Sequence, residues 1–195
     1  LFLRKIDDYE KKRISFYPST RVLKIDAEKR EVSIESKAKA GLPDGKAGRD
    51  FHYKKLLISS GGRPRSLPEV FRYTGGVRVL RMQTLEEADL IKEAISGAAE
   101  KTALVIGEGF IALEFIAVFA AHGFKIYAVA KGDVWGEGRI GKAGGEIFEE
   151  NFKKHGIAVH KKTEPSFFKD GLPDGKAGEF LLKNGNKIKA DLVGA

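Results

Sequence analysis

The residues best suited to chemistry in this chain stand together at Leu104-Val105-Ile106-Gly107-Glu108-Gly109-Phe110-Ile111-Ala112-Leu113-Glu114. A Gly-x-Gly-x-x-Gly/Ala core carries weight only when it directly follows a parallel strand and opens a helix, and this one does both. Gly107 permits the tight strand-to-helix turn. Gly109 lets a pyrophosphate approach the free amides of the helix N-terminus, and Ala112 is small enough for close packing of helix on strand. The chemistry implied is binding of a dinucleotide, against the plainer reading of a structural turn with incidental glycines. About 20 residues after the first glycine, an acid at the end of the next strand would hold a ribose 2′-hydroxyl, and a basic residue would suit a 2′-phosphate. The sequence has Ala130 and Lys131 there, with Asp133 beyond Gly132. Lys131 leans toward NADP but reads equally as a solvated surface charge, so NAD and NADP both stay open. Glu114 is the only charge in the apolar stretch 110–121. It reads either as an acid favoured by the helix dipole or as a polar group facing the nicotinamide end of the ligand.

Other chemistries find little support. Without cysteine there is no thiolate nucleophile, no Cys-x-x-Cys pair and no thiolate zinc site, so redox chemistry must belong to a bound cofactor. His155 and His160 straddle Gly156 without the one-face spacing of a metal pair, and His52 and His122 have no partner in view. No catalytic side chain and no metal ligand set is expected. Trp135, in the glycine-rich stretch 132–145, could cover a bound adenine; packing is the simpler reading.

The elements that must position the motif are legible in outline. Thr84-Leu85-Glu86-Glu87 is a capping box, and Leu85, Ala88, Ile91 and Ile95 recur on one helical face up to Gly97. A buried strand at 102–106 and an apolar helix to about His122 follow, with Gly123 at the C′ position. Lys125-Ile126-Tyr127-Ala128-Val129 reads as a second parallel strand, a helix runs from about Gly145 to His155, and Ile157-Ala158-Val159-His160 reads as a third strand. Asn184-Gly185 between Phe180-Leu181-Leu182-Lys183 and the segment 187–193 is a hairpin signal. This alternation of strand and helix predicts parallel βαβ units.

Upstream of a boundary placed near Thr74-Gly75-Gly76 the style differs. Ile14-Ser15-Phe16-Tyr17, Arg21-Val22-Leu23-Lys24-Ile25 and Glu31-Val32-Ser33-Ile34-Glu35 read as short strands, the last two half-buried and joined by a polar turn. After a long polar insertion, Leu56-Leu57-Ile58 reads as a buried strand ending in the loop Ser59-Ser60-Gly61-Gly62. The octapeptide Gly-Leu-Pro-Asp-Gly-Lys-Ala-Gly occurs twice, at 41–48 and 171–178. Its turn chemistry fits an exposed hairpin tip better than an anion site.

Length and composition bound the answer. The chain has 195 residues, 42% of them hydrophobic, and a formal charge of +8 from 35 basic and 27 acidic side chains. The longest apolar run, 115–121, is far short of the roughly 20 residues of a membrane-spanning helix. The lysines are dispersed among acids, so nucleic acid is not an expected partner. A cytoplasmic or mitochondrial location is the expectation.

At this point the residues carry a resemblance. Leu56-Leu57-Ile58-Ser59-Ser60-Gly61-Gly62-Arg63-Pro64-Arg65 resembles the second flavin-contact motif of the FAD-dependent pyridine nucleotide-disulfide oxidoreductase superfamily, and Val105 to Glu114 resembles its nicotinamide-dinucleotide block. Ala190-Asp191-Leu192-Val193 is similar to the strand returning to the flavin domain. The subgroup most resembled contains ferredoxin and rubredoxin reductases and apoptosis-inducing factor. The resemblance implies an α/β fold in which a Rossmann-like dinucleotide-binding domain, a parallel sheet with helices plus a β-meander, is preceded by part of a flavin-binding domain, with residues 1–75 and 76–195 as the two parts. It implies that Ser59, Ser60, Gly61 and Arg65 line an FAD site, and that Gly107, Gly109, Phe110, Ile111 and Glu114 hold a nicotinamide dinucleotide. Ser59-Ser60, Glu108 and Ala112 depart from the family pattern, Glu108 by placing a negative charge beside the pyrophosphate. The implied function is hydride transfer from NAD(P)H to FAD and electron transfer onward to an acceptor, including an acceptor protein. An NAD(H)-responsive signalling module of the apoptosis-inducing-factor type is the alternative. The first flavin-binding turn is expected before Leu1, which makes the chain a central piece of its parent.

Overall fold

The computed structural model describes residues 6–36, 48–64, 77–169 and 178–195. It divides into two compact units, Leu1–Gly61 and Gly62–Ala195. The boundary expected near Thr74 to Gly76 and most of both octapeptides lie outside the described residues.

The first unit holds a short helix α1 (Ile6–Glu10) and an antiparallel meander of β1 (Thr20–Asp26), β2 (Glu31–Ser36) and β3 (Gly48–His52), paired in the order β1-β2-β3. Val32 and Ile34 are buried on alternate positions of β2 and pack with Tyr17, Phe51 and Tyr53. Three expectations are corrected. Ile14 to Tyr17 is not a strand. In β1, Val22, Leu23 and Ile25 are exposed rather than half-buried, because β1 is an edge strand and the small cluster forms around β2. Leu56 to Ile58 is neither a strand nor buried, with Leu57 89% exposed. A buried parallel strand needs paired neighbours and cover on both faces, and no described strand pairs with this segment. Sequence reasoning also missed β3, whose Gly-Arg-Asp-Phe-His has little strand character of its own and is held by its pairing to β2.

The second unit is a five-stranded all-parallel sheet made of β4 (Arg78–Leu80), β5 (Thr102–Ile106), β6 (Lys125–Val129), β7 (Ala158–His160) and, arriving last, β11 (Leu192–Gly194). The order is β4-β11-β5-β6-β7. Helices α2 (Leu85–Gly97), α3 (Phe110–Ala121) and α4 (Glu137–Lys154) connect them. Strand alternation divides the core. Ala103, Val105, Ala128 and Ala130 pack with Ile91, Phe115, Phe119 and Phe152 of the helices. On the other face, Leu104, Val129 and Val193 meet Phe180, Leu182 and Ile188 of an antiparallel meander, β8 (Pro165–Lys169), β9 (Gly178–Leu182) and β10 (Lys187–Ala190).

The capping box before α2 forms: the Glu87 amide donates to Thr84 Oγ1 at 3.2 Å, and the Thr84 and Gln83 amides donate to Glu87 Oε2. Leu85, expected on the buried face, is 60% exposed; Ile91, Ala94 and Ile95 are the buried residues, because the inward face starts a turn later. Helix α3 closes as the sequence implies. Gly123 has φ +75°, its amide bonds the Ala120 carbonyl, and the Phe124 amide bonds that of Phe119. The segment 187–193, read as one strand, is two. The chain turns at buried Asp191, whose amide bonds Thr102 O and whose Oδ2 accepts from the Thr102 amide, moving from the meander to the parallel sheet.

Candidate functional site

The glycine turn leaves the sheet at the C-terminal edge of β5. There Ile106 pairs with Val129 and the Gly107 amide donates to Val129 O at 3.0 Å, so the turn sits directly beside the end of β6. Gly107 has φ +117°, a conformation that side-chain-bearing residues avoid. Gly109 is the N-cap of α3 with no side-chain cap, so the first amides of a helix of 12 residues have no side chain bonded to them. Ala112 is buried; its Cβ lies 3.8 Å from where a Cβ on Gly107 would stand, which is the close packing that its small size permits. These are the conditions under which a helix N-terminus receives a phosphate.

A second element supplies a cation. Helix α4 begins earlier than the expected Gly145, after Gly136 at φ +74°, and is interrupted at Gly141, where φ is +73° and ψ 165°. Its first turn, residues 137–140, carries Arg139 back to the glycine turn: Arg139 Nε lies 3.3 Å from where a Cβ on Gly109 would stand. The Arg139 side chain makes no ion pair or hydrogen bond among the described residues. Together with Glu108, Gly109, Phe110 and Trp135 it lines a small, half-open surface cleft. Sequence reasoning missed Arg139; glycines on both sides of a short basic turn were the only signal, and a faint one.

The other candidates distribute as follows. Phe110, Ile111 and Glu114 are exposed on the first turns of α3. Trp135 is 2% exposed and packs edge-on against Phe152 at 5.1 Å and near Phe148, as the packing reading implies; its backbone amide donates to Glu149 Oε1, and its indole Nε1 is buried without an acceptor among the described residues. Lys131 pairs with Glu164 Oε2, whose other oxygen takes Lys183. These two ammonium donors hold the Glu164 carboxyl down at about 2. Asp133 pairs with Lys162 at 3.0 Å. Both neighbours of the β6 end are thus already matched in charge. Glu108 bends over the same edge. Its Oε2 lies 3.1 Å from where a Cβ on Gly132 would stand, and it is buried without a hydrogen-bond donor among the described residues.

Ser59, Ser60 and Gly61 belong to the first unit and are exposed, with Gly61 at φ +74°. Arg65 lies outside the described residues. The nicotinamide-motif residues therefore meet at one sheet edge, whereas the described flavin-motif residues form no enclosed site of their own. Histidine rings serve local contacts: His122 Nδ1 lies 2.8 Å from Val118 O and His155 Nδ1 2.9 Å from Asn151 O. No helix among the described residues is long and apolar enough to cross a membrane.

Comparison with known proteins places the fold. Putidaredoxin reductase of Pseudomonas putida is 25% identical over 194 residues, covering 99% of this chain and 43% of that protein. Monodehydroascorbate reductase of Solanum lycopersicum is 30% identical over 189 residues, covering 95% and 40%. The crystal structure of the covalent putidaredoxin reductase–putidaredoxin complex superposes with a TM-score of 0.73 at 24% identity, covering all of this chain and 44% of that one, a likeness of fold. The chain thus spans about two fifths of the curated relatives it matches. The family model for pyridine nucleotide-disulphide oxidoreductases matches residues 3–194, and the chain belongs to that family.

Proposed function

We propose that this chain is the nicotinamide-dinucleotide-binding part of an FAD-dependent NAD(P)H oxidoreductase, joined to a portion of the flavin-binding part. The domain division proposed is residues 1–75 for the flavin side and 76–195 for the nicotinamide side. The observation that carries the reading is the uncapped N-terminus of α3 at Gly109 with Arg139, which has no ion pair among the described residues, beside it, on the C-terminal edge of a parallel sheet. A pyrophosphate there would meet free amides, a helix dipole and a guanidinium. When bound, the nicotinamide supplies a hydride and the flavin accepts it. The chain's own part is positional. Gly107 and Gly109 admit the backbone to the pyrophosphate, Arg139 balances its charge, and Phe110 and Ile111 offer an apolar surface on the first turn of α3.

The FAD assignment for Ser59, Ser60, Gly61 and Arg65 rests on the motif likeness and on family membership. An acceptor protein for the electrons is part of the proposal, supported by the complex of the related reductase with putidaredoxin. So is a cytoplasmic or mitochondrial location; two relatives are named as peroxisomal and cytosolic monodehydroascorbate reductases.

The test is binding to this chain. NADH or NADPH at a hundredfold excess over its Kd should stabilise the fold by about 2.7 kcal/mol and raise the melting temperature by several degrees. Arg139→Gln should weaken binding about tenfold without lowering the unliganded melting temperature. No shift with either nucleotide at millimolar concentration would refute the reading.

A further inference from the structure

We propose that Glu108 makes this site selective for NAD(H) over NADP(H), its carboxylate accepting the adenosine ribose hydroxyls in place of the acid that the end of β6 lacks. The inference rests on the dinucleotide reading above and adds which dinucleotide is bound and why.

The strand end itself cannot make the selection. Ala130 is buried on the helix side of the sheet and has no polar group to offer. Lys131 already shares its charge with the Glu164 carboxylate, so a 2′-phosphate would find it partly neutralised. Asp133 is tied to Lys162.

Glu108 reaches the same place from a different strand. The Gly107 amide on Val129 O fixes the turn beside β6, and Glu108 is the next residue. Both of its carboxylate oxygens lie over Gly132, at 3.1 and 3.6 Å from where a Cβ would stand, so the space that a side chain beyond the strand end would fill holds this carboxylate instead. Gly132 leaves that space open. The carboxylate has no cation and no donor among the described residues, and Oε2 is buried. A carboxylate at this depth without a donor is costly, and a ligand presenting hydroxyl donors to its accessible oxygen, Oε1, relieves the cost. A ribose 2′,3′-diol brings two donors. A 2′-phosphate brings close to two negative charges against the carboxylate in a partly enclosed cleft, where like charges repel more strongly than in water. The charge that reads as a handicap beside a pyrophosphate becomes the group that sorts the two cofactors.

The experiment is calorimetric titration of this chain with ADP-ribose, 2′-phospho-ADP-ribose and 2′-deoxy-ADP-ribose, repeated with Glu108→Gln. The wild type should bind ADP-ribose at least about tenfold tighter than either analogue. Glu108→Gln should bring the ratio of ADP-ribose to its 2′-phosphorylated form close to one. The 2′-deoxy comparison needs no variant, so it decides the ribose contact even if the substitution disturbs folding. A wild type that binds the phosphorylated ligand as well as ADP-ribose, or a ratio unmoved by Glu108→Gln, overturns the role of Glu108 and leaves the dinucleotide site standing. Absence of binding by all three to the wild type overturns both.

Discussion

Two glycines of one turn should fail for different reasons. Gly107 has φ +117°, and a Cβ there would make only an ordinary 3.8 Å contact with Ala112, so Gly107→Ala is penalised by backbone strain rather than by a clash. Strain of this kind costs about 1–3 kcal/mol, and at roughly 3–5 °C per kcal/mol for a unit of this size the melting temperature should fall by about 3–15 °C. Gly109 has φ −102° and ψ −177°, ordinary extended backbone. The nearest atoms to a methyl there belong to the flexible end of the Arg139 side chain, Nε closest at 3.3 Å. Loss of a glycine N-cap and gain of a stiffer unfolded chain oppose each other, so Gly109→Ala should stay within about 1 kcal/mol of the wild type. Its methyl nevertheless stands between the helix amides and any pyrophosphate, and should weaken NADH or ADP-ribose binding at least about tenfold. Thermal unfolding by circular dichroism and titration with ADP-ribose separate the two effects. A Gly109→Ala variant that melts as early as Gly107→Ala, or that binds like the wild type, would refute the assignment of one glycine to folding and the other to the ligand.

Two further substitutions test the frame around the turn. Glu164 has its carboxyl pulled from 4.5 to about 2 by Lys131 and Lys183. A lowered folded-state pKa gives stability that is present above 4.5 and disappears as pH falls toward 2. Urea midpoints of wild type and Glu164→Gln should therefore differ at pH 7 and converge between pH 4.5 and 2; a gap that persists at pH 2 contradicts the ion-pair account. Gly194 in β11 lies under α3, and a Cβ there would fall 2.5 Å from Cγ of the fully buried Phe115. Gly194→Ala should cost about 1–3 kcal/mol by overpacking. Gly97→Ala, in open space at the end of α2, should leave the midpoint nearly unchanged.

Local codes account for what the sequence made legible. The capping box at Thr84, the glycine turn at 107–109, the Gly123 terminus and the Asn184-Gly185 hairpin each specify their geometry within a few residues, and each forms. Apolar pattern alone was less dependable. Leu56 to Ile58 has the composition of a buried strand, yet its burial depends on partners distant in sequence that no described strand provides. Leu85 failed for a smaller reason: the period of the helix was right, but the depth at which its face enters the core is set by the sheet beneath it. Asp191 shows the converse, a single polar residue whose bonds to Thr102 divide one apolar segment between two sheets.

The candidate site divides along the same line. Its backbone half, the glycine turn and the amides of α3, is encoded locally and could be read directly. Its charged half is not. Arg139 reaches Gly109 only because Gly136 and Gly141 set off a single helical turn ahead of the main run of α4, and Glu108 finds its place only because β5 and β6 are neighbours and Gly132 has no side chain. Spacing put Lys131 at the strand end as a candidate, with NAD and NADP both open; the fold pairs it with Glu164, and the selector proposed above is a carboxylate some twenty residues earlier. Strand-end chemistry in such a sheet is therefore a property of the edge and not of one position. If Glu108 sorts the cofactors as proposed, the acid that matters is the carboxylate the turn brings to that edge.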